Sequence, residues 1–218
     1  MARKASAIWL RLILACLLFS TLAGARGRPL LETNALIPIA EASPTLAPFQ
    51  HVRFCLHYPN ECKSDPTETG LIELSTETVE LLKRVNHQVN AAILPVMKNN
   101  GFAPQDGWTI APAAGDCNDY AVTKRHELVQ SGLPAKALRL AVVKTASGIG
   151  HLVLVVATTK GDLVLDNLSE TIRPWQSTDY HWLKIQSASD ARYWYEVKPP
   201  VIVISQADRK LRLADRLQ

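Results

Sequence analysis

Apolar positions at Val79, Leu82, Val85, Val89, Ile93 and Val96 recur at steps of three and four residues. That spacing is one buried face of an α-helix and predicts a helix over residues 76–100. Ser75 or Thr76 starts it, Pro95 kinks or ends it, and the Asn-Asn-Gly at 99–101 closes it. Asn86, Gln88 and Asn90 form a polar stripe beside the apolar one and read as a solvated flank. A second helical stretch opens at Cys117, with Ala121, Leu128 and Val129 apolar and Gly132-Leu133-Pro134 as its stop. Beyond it the period changes. Residues 137–143 (ALRLAVV), 151–158 (HLVLVVAT) and 162–166 (DLVLD) are short β-rich runs, and Thr159-Lys160-Gly161 is a tight hairpin turn. Residues 26–50 read as an extended lead-in, 51–64 as a loop bracketed by cysteines, 71–74 as a short strand or turn, and 102–115 as loop. The aromatics of 167–200 extend the same sheet, and 207–218 is a charged tail. No internal repeat is present.

The first residues stand apart from this pattern. Arg3, Lys4 and Arg11 precede the apolar run LILACLLF at 12–19, and Ala23-Gly24-Ala25 follows it. A basic start, a short apolar run and an A-x-A site describe a secretory signal peptide over residues 1–25, with an uncleaved anchor as the alternative. Composition elsewhere is globular, with 47% hydrophobic and 20% charged residues in 218. Three of the four net positive charges lie in the signal, so the mature chain sits near +1. No basic stripe remains that would suit a nucleic acid. Export into a periplasmic or secreted setting also makes the cysteine count matter. Cys16 leaves with the signal, and Cys55, Cys62 and Cys117 remain. Cys55 and Cys62 flank a Tyr-Pro-Asn turn and are the natural pair, with Cys117 free. The competing pairing joins Cys117 to one of the other two.

Three residues then stand in a chemically meaningful order. Cys117 opens a helix, His151 opens a strand and Asp166 ends the next strand. A thiol at a helix N-terminus meets the positive end of the dipole and unpaired backbone N–H groups, which favour thiolate and can hold a developing oxyanion. His151 can act as general base and acid if its ring reaches the sulfur. A hairpin centred near residue 160 sets position 153 or 154 opposite Asp166, within about one pair step of His151. Taken singly, each residue has a plainer reading: a small buried cysteine, a strand-end histidine, a turn-forming aspartate.

The stretch Gly115-Asp116-Cys117-Asn118-Asp119-Tyr120-Ala121, with Lys124, Gly132-Leu133-Pro134, His151-Leu152-Val153-Leu154, Leu165-Asp166-Asn167 and Trp175, resembles the bacterial transglutaminase-like cysteine peptidases, which include the LapG-type periplasmic proteases. The resemblance runs from Phe54 to Trp194. It implies an α+β, papain/transglutaminase-like fold, in which a nucleophile-bearing helix packs on an antiparallel β-sheet. The domain then spans 51–206. It implies Cys117 as nucleophile, His151 as general base and acid, and Asp166 as the orienting carboxylate. LapG-type members cleave large surface adhesins near their N-termini and depend on calcium, so the resemblance also implies a protein or peptide substrate, a membrane-associated regulator and a Ca2+ site using Asp116 and Asp119. Asn118 stands where those members usually carry a second acid, which lowers the expected calcium affinity. Helix capping is the plainer role for Asp116 and Asp119. Trp108 matches a family position that walls the thiol, and is equally suited to the core.

The leading expectation is an exported cysteine peptidase working through an acyl-enzyme. Acyl transfer to an amine on the same three residues is one alternative, and a non-catalytic binding module on the same scaffold is another. No His/Cys cluster stands at zinc-ligand spacing, and His51, His57, His126 and His181 read as structural or surface residues.

Overall fold

The computed structural model describes residues 37–96 and 107–198. The signal peptide read at 1–25 and the tail read at 207–218 lie outside the described residues. Among the described residues no helix is long and apolar enough to cross a membrane.

The long amphipathic stretch forms helix α2, Thr76–Ala92. Ser75 caps it, its hydroxyl accepting from the Thr78 N–H at 3.2 Å. The helix stops sooner than the apolar period predicts. Leu94–Pro95 (strand β2) instead pairs in parallel with Ala114–Gly115 (strand β3), and Val96 N donates to Gly115 O at 2.9 Å. Proline disfavours the helical conformation in the residue before it, which sets the break. Helix α3, Cys117–Gln130, begins directly after β3 and ends where Gly132 takes a φ of 90°.

Two readings of the early chain are corrected. The stretch taken as an extended lead-in contains strand β1, Glu41–Thr45, and the stretch taken as a cysteine loop is mostly helix α1, Phe49–His57, followed by a 3-10 turn at Pro59–Cys62. Two of the prolines that looked like breakers sit at element boundaries: Pro48 is the N-cap of α1 and Pro59 opens the turn, while Pro44 lies within β1 where its register shifts. His51 and Phe54 supply the buried side of α1. Cys55 and Cys62 are joined in a disulfide, and Cys117 is a free thiol.

The remaining strands are β4 (Leu138–Lys144), β5 (Gly150–Thr158), β6 (Gly161–Leu165), β7 (Arg173–Pro174), β8 (His181–Gln186) and β9 (Trp194–Val197). With β1 they make a seven-stranded sheet in the order β1-β9-β8-β4-β5-β6-β7. Every neighbouring pair is antiparallel. The pleat of β5 divides the core. Leu152, Leu154 and Val156 join Leu82, Val85, Tyr120, Ala121 and Leu128 on the helix-covered face. Val153 and Val155 join Ala141, Val143, Trp175 and Ile185 on the other. Both faces are covered, which explains why 151–158 reads as an unbroken apolar run rather than an alternation.

Polar ties pin the early chain onto this frame. Buried Arg139 donates to Asp162 at 2.9 Å and to Glu41 at 3.3 Å, and Asp162 also accepts from Ile39 N at 2.8 Å. Arg125 donates to Glu61 at 3.0 Å and to Leu138 O at 3.0 Å, fixing the turn after α1 to α3.

Removing one member of a buried ion pair strands the other. Arg139→Met is therefore expected to lower the unfolding free energy by about 3 kcal/mol in a urea melt. Replacing Cys55 and Cys62 together with alanine is expected to cost about 2 kcal/mol, because the bridge closes only a short loop.

Candidate active site

Cys117 is the first residue of α3, and the cap beneath it is fully specified. The Asp116 carboxylate accepts from Asn118 N at 3.0 Å and from Asn118 Nδ2 at 3.0 Å. Asp119 reaches back to accept from Asp116 N at 2.9 Å and also takes the Thr109 N–H at 2.8 Å. This is a capping box with aspartate at both ends. It also explains the glycine before it: a Cβ on Gly115 would sit 2.5 Å from Asp119 Oδ2. Asp119 is completely buried, and both of its oxygens are committed to backbone N–H groups.

His151 and Asp166 meet as the hairpin predicts. Leu154 faces Leu165 in the β5–β6 register, and Thr158 faces Gly161, whose φ of 101° closes the turn. His151 Nε2 lies 2.8 Å from Asp166 Oδ1. With Nε2 held there, Nδ1 is the ring nitrogen left for the sulfur. Burial works against charge on His151, but its bonds to Asp166 and Cys117 outweigh burial and raise its pKa from 6.5 to about 9. Burial likewise opposes ionisation of Asp166, and the His151 bond, with help from Tyr180 and Leu168 N, overcomes it and lowers its pKa. Asp166 also forms the turn read for it, since Leu168 N donates to Oδ1 at 3.1 Å.

Tyr180 was not singled out in the sequence. Its hydroxyl donates to Asp166 Oδ2, and its ring centroid lies 5.6 Å from that of His151. It comes from the loop before β8, and no local spacing connects it to Asp166. Asn86 and Asn90, read as a solvated flank, point inward. Asn90 Nδ2 donates to Asp166 O at 3.1 Å and to Glu170 Oε1 at 3.0 Å, while Asn86 Nδ2 donates to Ser169 O and Glu170 O. Gln88, from the same stripe, is exposed as expected.

Two depressions meet at Cys117 and His151. One, of 310 Å3, is walled by Phe49, Gln50, Trp108 and Leu152. The other, of 650 Å3, is walled by Val96, Tyr120, Ile149, Asn167 and Leu168. Trp108 fills both roles weighed for it: it is buried against His51 and Phe54 and also lines the smaller depression. Gly148, with a φ of 82°, makes the turn into β5, whereas a Cβ on Gly150 would meet open space. His51 is a core residue, accepting from Trp194 Nε1 at 3.2 Å, and burial, followed by the nearby Arg125 charge, lowers its pKa to about 4.

Asp116, Asn118 and Asp119 do not fit a calcium site. Calcium takes about six to eight oxygens. Here one Asp119 oxygen and one Asp116 oxygen serve the helix cap, the other Asp119 oxygen takes the Thr109 N–H, and Asn118 brings no charge. Among the described residues, the one cluster of three possible metal-ligating side chains is His51 with the disulfide pair Cys55 and Cys62, away from this helix end. Asp119→Ala is expected to lower stability by about 2 kcal/mol through loss of the cap, by the same amount in EGTA as in calcium. A larger loss in calcium would identify a ligand instead.

The sequence model of a family described as bacterial transglutaminase-like cysteine proteinase (BTLCP) matches residues 41–201. No curated protein matches the chain. Among solved structures, calcium-bound Legionella pneumophila LapG is similar at 22% identity and a TM-score of 0.47, over 67% of this chain and 83% of that one. EGTA-treated Legionella pneumophila LapG gives 21% identity and a TM-score of 0.48, over 67% and 82%. The family match takes in β1 through β9, and with them Cys117, His151 and Asp166. The chain belongs to the bacterial transglutaminase-like cysteine proteinases.

Proposed function

We propose that this cysteine peptidase is exported and hydrolyses peptide bonds of a protein substrate with Cys117 as nucleophile, His151 as general base and acid, and Asp166 as the carboxylate that orients His151. The observation that carries this reading is the His151–Asp166 bond of 2.8 Å beside a free, half-buried thiol that shares both depressions with His151. The apolar run at 12–19 and its flanks support export into the periplasm or beyond.

The reaction follows from these groups. His151 takes the Cys117 proton, and the thiolate attacks the scissile carbonyl carbon. The backbone N–H of Cys117, in the first turn of α3, is the donor assigned to the oxyanion that forms. The imidazolium gives its proton to the leaving amine as the C–N bond breaks, and a thioester remains. Water then attacks the thioester while His151 takes its proton. The acid leaves and the thiol–imidazole pair is restored. Asp166 keeps His151 in one tautomer and stabilises its charged form throughout. A polypeptide lying extended across Cys117 would occupy both depressions at once. No step is assigned to calcium.

Peptide mapping after brief treatment with iodoacetamide, without reductant, is expected to place the label on Cys117 and leave Cys55 and Cys62 linked. Cys117→Ala is expected to abolish hydrolysis of a protein substrate; equal hydrolysis by this variant and wild type would sink the proposal. A labelled amine offered in the same assay separates hydrolysis from acyl transfer. The raised His151 pKa sets a sign for pH dependence. The charged imidazole contributes fully to stability below about 6.5 and that contribution is lost as the pH rises through about 9. Asp166→Asn removes one of the two groups that raise it and leaves Cys117, so the alkaline limit of hydrolysis, where the imidazolium that protonates the leaving amine is lost, is expected to move down from about 9.

A further inference from the structure

Asp166 serves His151 only while its carboxylate keeps one rotation about the Cβ–Cγ bond. That torsion is broad and roughly two-fold in aspartate, so bonds rather than rotamer preference set it. Oδ1 meets His151 Nε2 at 2.8 Å and takes the Leu168 N–H at 3.1 Å, and Oδ2 takes the hydroxyl of Tyr180. Among the described residues no second hydrogen bond reaches Oδ2. The grip on the far oxygen therefore depends on one phenol.

Tyr180 is delivered there by the sheet. It lies two residues before Trp182 of β8, which faces Val143 of β4, and Val143 faces His151 of β5 on its other side. The chain on both sides of Tyr180 is tied to the buried Trp175. Thr178 Oγ1 donates to Trp175 O at 2.7 Å and accepts from Trp182 Nε1 at 3.3 Å, and the Trp175 and Trp182 rings meet edge-on with centroids 5.5 Å apart. The Tyr180 ring is half-buried, packs on the Val153 and Val155 side of the sheet and lies 5.6 Å from the His151 ring. It lines neither depression at Cys117. Burial, followed by the Asp166 bond, raises the phenol pKa above its ordinary 10.0, so the hydroxyl stays a donor wherever His151 titrates. The other ionisable groups around the pair are Cys117 and Lys124 of α3, Arg173 of β7, and Glu170 and Asp179 of the loops.

We propose that Tyr180 is a positioning residue for this peptidase: its hydroxyl, bonded to Asp166 Oδ2 from a braced backbone, fixes the rotation of the carboxylate so that Oδ1 stays on His151 Nε2. The inference rests on the proposed roles of Cys117, His151 and Asp166. Tyr180 touches neither the substrate nor the reacting atoms and gives up no proton. It acts through Asp166. Loss of the hydroxyl has two opposed consequences. A carboxylate with one bond fewer is a stronger base, which draws the His151 pKa up. A carboxylate free to turn away leaves His151 without its partner for part of the time, which brings that pKa down from about 9 toward 6.5. Positioning requires the second to win. A ring that only fills space requires neither, because phenylalanine fills the same space.

The test compares wild type with Tyr180→Phe on the full chain, each checked for folding by circular dichroism. NMR of the ring C–H signals follows the titration of His151, and iodoacetamide reads the rate of Cys117 alkylation. In Tyr180→Phe the His151 midpoint is expected to fall by about 1 unit, a tenfold loss of preference for the charged ring. Less imidazolium then stands beside the sulfur to hold it as thiolate, so alkylation at neutral pH is expected to slow about 10-fold, within the cost of a misplaced group. A folded Tyr180→Phe whose midpoint stays or rises, or whose alkylation rate is unchanged, overturns the proposal. In an Asp166→Ala background the same substitution is expected to add no further loss of rate; a loss as large as in wild type overturns it, because Tyr180 would then act without Asp166. If Tyr180→Phe does not fold, wild type alone decides. With tyrosine labelled at Cζ, the Tyr180 phenol is expected to stay protonated at its ordinary pKa of 10.0. A Tyr180 signal that titrates there overturns the bond to Oδ2 and the proposal with it. Wild-type Cys117 reacting no faster than free cysteine would instead sink the triad reading itself, whatever Tyr180 does.

Discussion

A single buried carboxylate sets where Cys117 stands. Asp119 accepts from Asp116 N and Thr109 N while resting against Gly115, and this fixes the direction in which α3 leaves its preceding strand. Cys117 has no freedom of its own at that point. Its backbone is held by the cap, and α3 is in turn pressed between α2 and β5. The proposed nucleophile is therefore placed by main-chain hydrogen bonds rather than by side-chain packing. Such placement resists small core repacking far better than a thiol on a loop would.

The sheet places the other half of the site by a different rule. His151 enters β5 where that strand begins, and Asp166 leaves β6 where that strand ends, so the register of one hairpin brings them together. Alternation puts both on the Val153 and Val155 side of the pleat, away from the leucines that meet the helices. They reach Cys117 because they sit at the margin of the sheet, where α3 begins. Tyr180 and the asparagines of α2 then close around Asp166 from opposite directions.

Much of this was legible in the sequence, and the failures have physical causes. The hairpin and both long helices were readable because their periods are local, and Cys117, His151 and Asp166 were readable because each sits at an element end marked by glycine or asparagine. β1 and α1 were missed because Pro38, Pro44, Pro48 and Pro59 suggested irregular chain, whereas Pro48 and Pro59 only mark boundaries. The inward turn of Asn86 and Asn90 was missed because a polar residue beside an apolar stripe looks the same whether it meets water or a loop carbonyl. Its partners lie 83, 84 and 76 positions away, beyond any local pattern. Tyr180 was illegible for the same reason.

The pairing of β1 with β9 brings the two margins of the domain side by side. Pro44 faces Tyr195 and Glu41 faces Val197, so the chain enters and leaves the sheet along adjacent edges. Lys198 N even donates to Ala40 O at 3.1 Å. A covalent link from residue 198 to residue 40, in place of the segments outside them, would close the backbone into a ring without disturbing a described strand. Such a ring could be reopened at a surface turn, for instance at Thr159-Lys160, giving a circularly permuted peptidase whose hairpin carries the new termini.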